Sequence, residues 1–243
     1  MSENNSIYIG RNAGKYLIKD IYNAKKSVKI ISPYLGAEYV KDLIGIKEKG
    51  VDVSLITSDN VETKNGIDFD HKDIIIQKQH VNHSALQERK TLYNYLLISL
   101  GSMGFSFFLS FFASWYFFNL FILLIISSSI IYYLYIRKVV YTYTYKTLFN
   151  LKVFFSQYCN EEQKNDFLIH SKVYIIDDKI AYLGSVNFTF SGIENSYECI
   201  TKITDEKQIA YLKQEYDNLF YNKRLKSKNI NDWGRELYHE PIN

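Results

Sequence analysis

Thiols and excess charge are both scarce in this sequence. Only two cysteines occur in 243 residues, Cys159 and Cys199, and neither has a second thiol nearby or a metal-ligand spacing. They read as free thiols of a reducing compartment, with one disulfide between them as the alternative. The net charge of +3 is too small to mark a nucleic-acid-binding protein by electrostatics alone. The opening residues, MSENNSIYIGRNAGKYL, lack an apolar leader, so the N-terminus is expected to stay in the compartment where it is made. There is no long internal repeat, no zinc-finger pattern and no base-reading motif, so recognition of a specific base sequence is not expected.

The most consequential absence is local. Between residues 91 and 136 there is no Asp, Glu, Lys, Arg or His, while Leu, Ile, Phe and Tyr dominate. One spanning helix needs about 20 apolar residues and this run is about twice that, so it predicts a two-helix membrane hairpin. The turn is expected at residues 114–119, with Trp115 and Tyr116 at headgroup level. Arg89 and Lys90 precede the run and Arg137 and Lys138 follow it, which puts both outer ends on the cytoplasmic side. An even number of spans demands the same. The alternative is a buried hairpin in a soluble protein, but soluble helices seldom run so far without a charge on one face. Gly101, Ser102, Gly104 and Ser127–Ser129 offer small residues for contacts within the hairpin or with a second copy. Frequent Asn, Lys, Ile and Tyr suggest an AT-rich bacterial genome, and hence a bacterial inner membrane.

What flanks the hairpin reads as α/β. Ala13, Leu17, Ile21 and Ala24 share a helical face, VKIIS is a buried strand ending at Pro33, and AEYVKDLIGIKEKG is a second helix stopped by Gly50. VDVSLIT is the next strand, so strand, helix and strand imply a parallel crossover. Residues 58–73 are polar and loop-like, DIIIQK is a short strand, and a helix from about Ser84 runs into the first span. After the second span, RKVVYTYTYKTLFN is read as a continuation of that helix. LKVFFSQ, HSKVYIID, KIAYLGS and YECITKI are strand candidates, and a last helix covers residues 205–221. The expected organisation is a first half-domain at 1–90, the hairpin at 91–136, a second half-domain at 137–222 and a polar tail at 223–243. Neither half alone carries a complete α/β pattern, so the two are expected to form one domain.

Chemistry concentrates at residues 169–192, IHSKVYIIDDKIAYLGSVNFTFSG. Side chains alternate along a strand, so His170 and Lys172 share one face while Val173 and Ile175 take the other. Asp177 has the opposite parity to His170, at the tight DDK turn, which suits an anchor. Gly184 allows close backbone approach, and Ser185 and Asn187 supply a hydroxyl and an amide. A nucleophilic imidazole among cationic and neutral donors suits a phosphoryl oxyanion.

H170-S-K172-V-Y-I-I-D177 resembles the H-x-K-x4-D signature of the phospholipase D superfamily. GSVNFT resembles its companion G-S-x-N element, and Glu198 in NSYE stands where that family carries a glutamate bonded to the catalytic histidine. The resemblance implies a mixed sheet flanked by helices, with His170, Lys172, Asp177, Asn187 and Glu198 as the catalytic set. Lys172, Ser185 and Asn187 would bind phosphate. No metal and no cofactor is implied. The chain has one such motif where most phospholipases of the superfamily have two. The adjacent His71-Lys72-Asp73 would point to opposite faces of a strand, and His80 and His83 lack a lysine two residues on. Single-motif members resemble bacterial endonucleases that work as homodimers, which makes a homodimer the expected assembly. Three functions follow from the resemblance. The leading one is a membrane-tethered, metal-independent nuclease, with Lys223, Arg224, Lys226 and Lys228 available for phosphate contacts. The second is a phospholipase or phosphatidyltransferase, and the third an inactive membrane scaffold.

Overall fold

The computed structural model describes residues 5–58, 74–155, 169–238 and 240. In chain order its first elements are β1 (Ser6–Gly10), α1 (Lys15–Tyr22), β2 (Ser27–Ile31), α2 (Ala37–Glu48), β3 (Asp52–Ser58) and β4 (Ile75–Val81). The long helices α3 (His83–Phe112) and α4 (Tyr116–Ile136) follow, then β5 (Tyr141–Thr147) and β6 (Asn150–Phe154). The last are β7 (Lys172–Ile176), β8 (Ile180–Gly184), β9 (Glu198–Ile203), α5 (Glu206–Tyr221) and α6 (Ile230–Tyr238). They divide into two compact units, one running to Ile76 and resuming at Tyr145–Tyr238, the other formed mainly by Gln77–Thr144.

The first unit is a mixed α/β domain around a seven-stranded sheet of order β1-β9-β8-β7-β2-β3-β6. β2, β3 and β6 are mutually parallel, and β7, β8, β9 and β1 continue antiparallel from β2. Strands from the two halves of the sequence thus alternate within one sheet. Removing either half would leave buried strand edges unpaired, which is why neither half shows a complete pattern alone. Ala13, Leu17, Ile21 and Ala24 are all buried, as their spacing requires, and Gly50 follows α2 with φ +90°. On one sheet face Ile31, Ile56, Val173, Ile175, Ala181 and Ile203 pack with Ile209 and Tyr216 of α5. Tyr174 belongs to the other face and packs on Phe188, which in turn meets Tyr39 of α2.

Two elements of this unit escape the sequence pattern. β1 is a five-residue edge strand paired only with β9, and its Tyr8 ring stacks on Tyr16 with centroids 4.3 Å apart. The expected polar tail contains α6, because Trp233 is an apolar anchor on an otherwise polar helix and is 4% exposed.

In the second unit α3 and α4 form a helical hairpin. Both are long and apolar enough to cross a membrane. Asn82 caps α3 by accepting from the Ala85 N–H at 3.2 Å. Between the helices Ser99 Oγ and Ser128 Oγ lie 2.6 Å apart, and Ser106 Oγ donates to Phe117 O at 2.7 Å. These bonds pair hydroxyls at the contact between two otherwise apolar helices, where Ser128 Oγ also donates to Leu124 O at 2.8 Å. Gly101 and Gly104 face open space, so the small residues at the helix contact are serines. The reversal occupies residues 113–115, shorter and earlier than expected, because nothing after Ser114 breaks a helix and α4 begins at Tyr116. The segment after α4 also differs from expectation. Tyr141–Thr147 is a strand paired with β4, its alternating Tyr and Thr having a period of two and high strand propensity.

Candidate active site

β7 lies in the middle of the sheet and is buried along its whole length. His170 stands just before it, Lys172 is its first residue and Asp177 follows its last. Seven steps of extended chain separate His170 from Asp177 by about 20 Å. The motif's aspartate therefore does not meet its histidine within the chain and stands at the opposite end of β7. Its carboxylate accepts from the N–H groups of Lys25 (2.9 and 3.0 Å), Lys26 (2.6 Å) and Ser27 (3.0 Å). Burial pushes the Asp177 carboxyl upward, but the N–H groups of Ser27, Lys25 and Lys26, with the charge of Lys179, outweigh it and hold it below the usual carboxylate range.

At the other end of β7 His170 is exposed while Lys172 is 5% exposed. Lys172 Nζ donates to His170 O at 2.7 Å and lies 3.3 Å from each imidazole nitrogen. Burial lowers the pKa of this lysine, opposed by the charge of Glu198. A desolvated ammonium beside an imidazole is a concentrated positive site, open on the histidine side.

The companion loop begins where β8 ends. Gly184 pairs with Lys172, and β9 runs so close that a Cβ on Gly184 would stand 2.1 Å from Cys199 O. Only glycine fits there. Ser185 Oγ donates to the Glu198 carboxylate and accepts from Cys199 N–H at 3.0 Å. A hydroxyl has one proton, so that of Ser185 is committed to Glu198. Among the described residues no hydrogen bond joins Glu198 to His170. Glu198 instead grips the G-S-x-N loop and acts on Lys172 through its charge.

Asn187 sits between two clamped neighbours. Tyr174 Oη donates to Val186 O at 2.7 Å, Phe188 N–H donates to Ser32 Oγ at 2.9 Å, and Gly36 N–H donates to Phe188 O at 2.7 Å. On the far side a Cβ at Gly192 would fall 2.5 Å from Asn187 O, so the chain beyond packs directly on the asparagine backbone. Asn187 Oδ1 is buried without a hydrogen-bond partner. Such an orphan costs about 1–3 kcal/mol, a cost the surrounding clamps offset. Ser32, Gly36, Tyr174 and Gly192 carry no motif in the sequence, since their roles exist only once β2, β7 and the loop meet. Tyr174→Phe is expected to lose about 1–3 kcal/mol of stability by stranding the buried Val186 carbonyl, measurable as a lower urea midpoint with an unchanged slope.

The remaining sequence candidates lie elsewhere. His71, Lys72, Asp73 and Cys159 fall outside the described residues. His80 Nε2 is 2.8 Å from Thr144 Oγ1, and His83 opens α3, both in the hairpin unit. Cys199 is a free, exposed thiol. Of the basic cluster, Lys228 pairs with Glu236 at 3.0 Å, while Lys223, Arg224 and Lys226 are exposed.

Comparison with known proteins adds sequence and structural likenesses. Residues 122–220 match the family model described as "Cardiolipin synthase, PLD-like domain". Cardiolipin synthase 1 of Staphylococcus epidermidis is 34% identical over 64 residues, which are 26% of this chain and 13% of that relative's length. Among solved structures, NucT from Helicobacter pylori aligns with TM-score 0.47 and 17% identity, covering 88% of this chain and 94% of that one. Nuc from Salmonella typhimurium, a phospholipase D family member, aligns with TM-score 0.46 and 14% identity over 93% and 99% of the two chains.

Proposed function

This chain belongs to the phospholipase D superfamily of phosphodiesterases, and we propose that it is a metal-independent nuclease held at a membrane by α3 and α4. The observation that carries this reading is the exposed His170 imidazole beside the buried Lys172 ammonium, 3.3 Å apart. An imidazole nitrogen attacks phosphorus, the P–N bond forms, and the P–O bond to the leaving alcohol breaks. Lys172 and the Asn187 amide neutralise the growing oxyanion charge; rotating that amide by half a turn presents its NH2 donors. Ser185 acts through Glu198 and the loop rather than as a direct phosphate ligand.

The leaving oxygen needs a proton and the phosphohistidine needs an activated water. One histidine cannot do both while bound to phosphorus. The second imidazole is supplied by a second copy of the chain, since the sequence holds a single H-x-K-x4-D motif. In the second step water attacks phosphorus, gives its proton to that imidazole, and the P–N bond breaks. The single motif also favours nucleic acid over lipid, and the exposed Lys223, Arg224 and Lys226 can contact a phosphate backbone.

A phospholipid substrate is the second reading, favoured by the cardiolipin synthase match and by a hairpin that holds the domain at a bilayer. The deciding experiment offers labelled single- and double-stranded DNA, and head-group-labelled phospholipid, to detergent-purified protein in EDTA. DNA cleavage without head-group release is the expected result. Head-group release alone would transfer the assignment to lipid, and activity on neither would favour a scaffold.

A further inference from the structure

The charged end of the hairpin carries more positive charge than it pairs. Of Arg89, Lys90, Arg137 and Lys138, only Lys138 has a carboxylate partner among the described residues, namely Glu88. The Arg89 guanidinium lies over the Tyr135 ring, 4.7 Å from its centroid, and its Nε is buried with no hydrogen-bond partner. The Tyr93 and Tyr135 rings are 6.3 Å apart. Together with Leu86, Lys90 and Asn94 these residues line a cleft of about 460 Å³. The cleft lies entirely within the hairpin unit and is not part of the site around His170.

The lining is divided by chemistry. Arg89 and Lys90 supply two cations, and Asn94 can donate hydrogen bonds beside them. Leu86 and the two tyrosine rings form an apolar wall that continues into the charge-free run beginning at residue 91. A free inorganic anion would use the cations and leave that wall unused. A molecule with a phosphate joined to a hydrocarbon body uses both, and tyrosines at this level are suited to the boundary between headgroups and acyl chains. We propose that this cleft binds the headgroup of an anionic glycerophospholipid, with the phosphate on Arg89 and Lys90 and the glycerol backbone against Tyr93 and Tyr135. The proposal rests on the reading of α3 and α4 as membrane spans, and it concerns a resident ligand, not the substrate of His170.

The test is native mass spectrometry of the full chain released from detergent micelles. The micelles contain phosphatidylglycerol or phosphatidylcholine with the same acyl chains, with inorganic phosphate as a third probe. Wild type is expected to retain phosphatidylglycerol about tenfold better than phosphatidylcholine. Arg89→Gln with Lys90→Gln is expected to abolish the preference, Arg89→Lys to keep most of it, and Lys138→Gln, outside the cleft, to leave it intact. No preference in wild type, or one that survives in the double variant, would overturn the site. Equal loss in Lys138→Gln would assign the effect to diffuse charge, and displacement by millimolar phosphate would assign the cleft to a soluble anion; either result also overturns it. Carbonate washing of cell membranes checks the premise separately. Release of the protein into the wash would mean that the spans themselves are misread, whereas retention without lipid preference would sink only the lipid site.

Discussion

His170→Ala is expected to lower phosphodiester cleavage by at least about 10³-fold in EDTA, with circular dichroism and urea midpoint close to wild type. The side chain is exposed, so its removal opens no cavity, and the buried Lys172 Nζ keeps its bond to the His170 carbonyl. On the proposed mechanism the loss of the His170 imidazole removes the nucleophile of one copy and the proton donor of the other at once. Residues acting as one unit are not additive, so His170→Ala with Lys172→Ala should be little worse than His170→Ala alone. Lys172→Ala by itself is different in kind. It empties a site 5% exposed, so its urea midpoint should fall together with its activity. Mixing tests the shared site. Wild type exchanged with a tenfold excess of His170→Ala subunits should lose nearly all activity, because most wild-type chains would then face a partner without an imidazole. Full retention in that mixture would show that one chain is sufficient and would remove the dimeric mechanism.

The sequence made some of this architecture readable because local pattern and tertiary role coincide. Leu17 and Ile21 repeat at helical spacing and bury; Val53 and Leu55 alternate in β3 and bury; Asp205 caps α5 by accepting from Gln208 N–H at 2.9 Å. The segment after α4 is instructive for failing. Arg137 and Lys138 extend a helical run by composition, yet the next residues alternate Tyr with Thr, and period two prevails over proximity to a helix. β1 was obscured by its role. An edge strand with Ile7 64% and Ile9 63% exposed has no one-sided burial to read.

In the site the same division holds. His170, Lys172, Asn187 and Glu198 belong to short motifs and could be found as candidates from the family resemblance those motifs carry. What organises them could not. Ser32 reaches Phe188 across 156 positions, and Asp177 reaches Ser27 across 150. Glu198 shows the limit most clearly. Its presence was legible, but whether its carboxylate meets an imidazole or a serine depends on how closely β9 approaches β8, which Gly184 sets.

The largest stability effect outside the hydrophobic core is expected at Asp177. It sits with Asp178 in a turn closed by Lys179 N–H to Ile176 O at 3.0 Å, and both aspartates have φ of +54°. Asp and Asn tolerate that left-handed region better than alanine does. The carboxylate also fastens the β7–β8 turn to the residues that begin β2, fixing the register in which Val28 faces Ile176. A one-residue slip of β7 would exchange its two faces and take Lys172 out of register with Gly184. Asp177→Ala loses both contributions and should cost about 1.5–3 kcal/mol at neutral pH, a fall of about 2–4 °C in Tm per kcal/mol. Asp177→Gly relieves the backbone without restoring the acceptor, so its partial recovery over alanine measures the turn alone. Asp177→Asn keeps the turn but replaces one acceptor oxygen with an NH2 facing an N–H donor, so it should recover little of the anchor. Acid separates the charge from the shape. The folded-state pKa of Asp177 is depressed, so its stabilisation is complete above the unfolded value near about 4 and is lost as pH falls through the folded value below it. The gap in urea midpoint between wild type and Asp177→Asn should therefore be widest at neutral pH and narrow steadily below about pH 4. A gap that stays constant down to about pH 2 would mean that the three N–H groups gain nothing from the charge, and that the anchor works by shape alone.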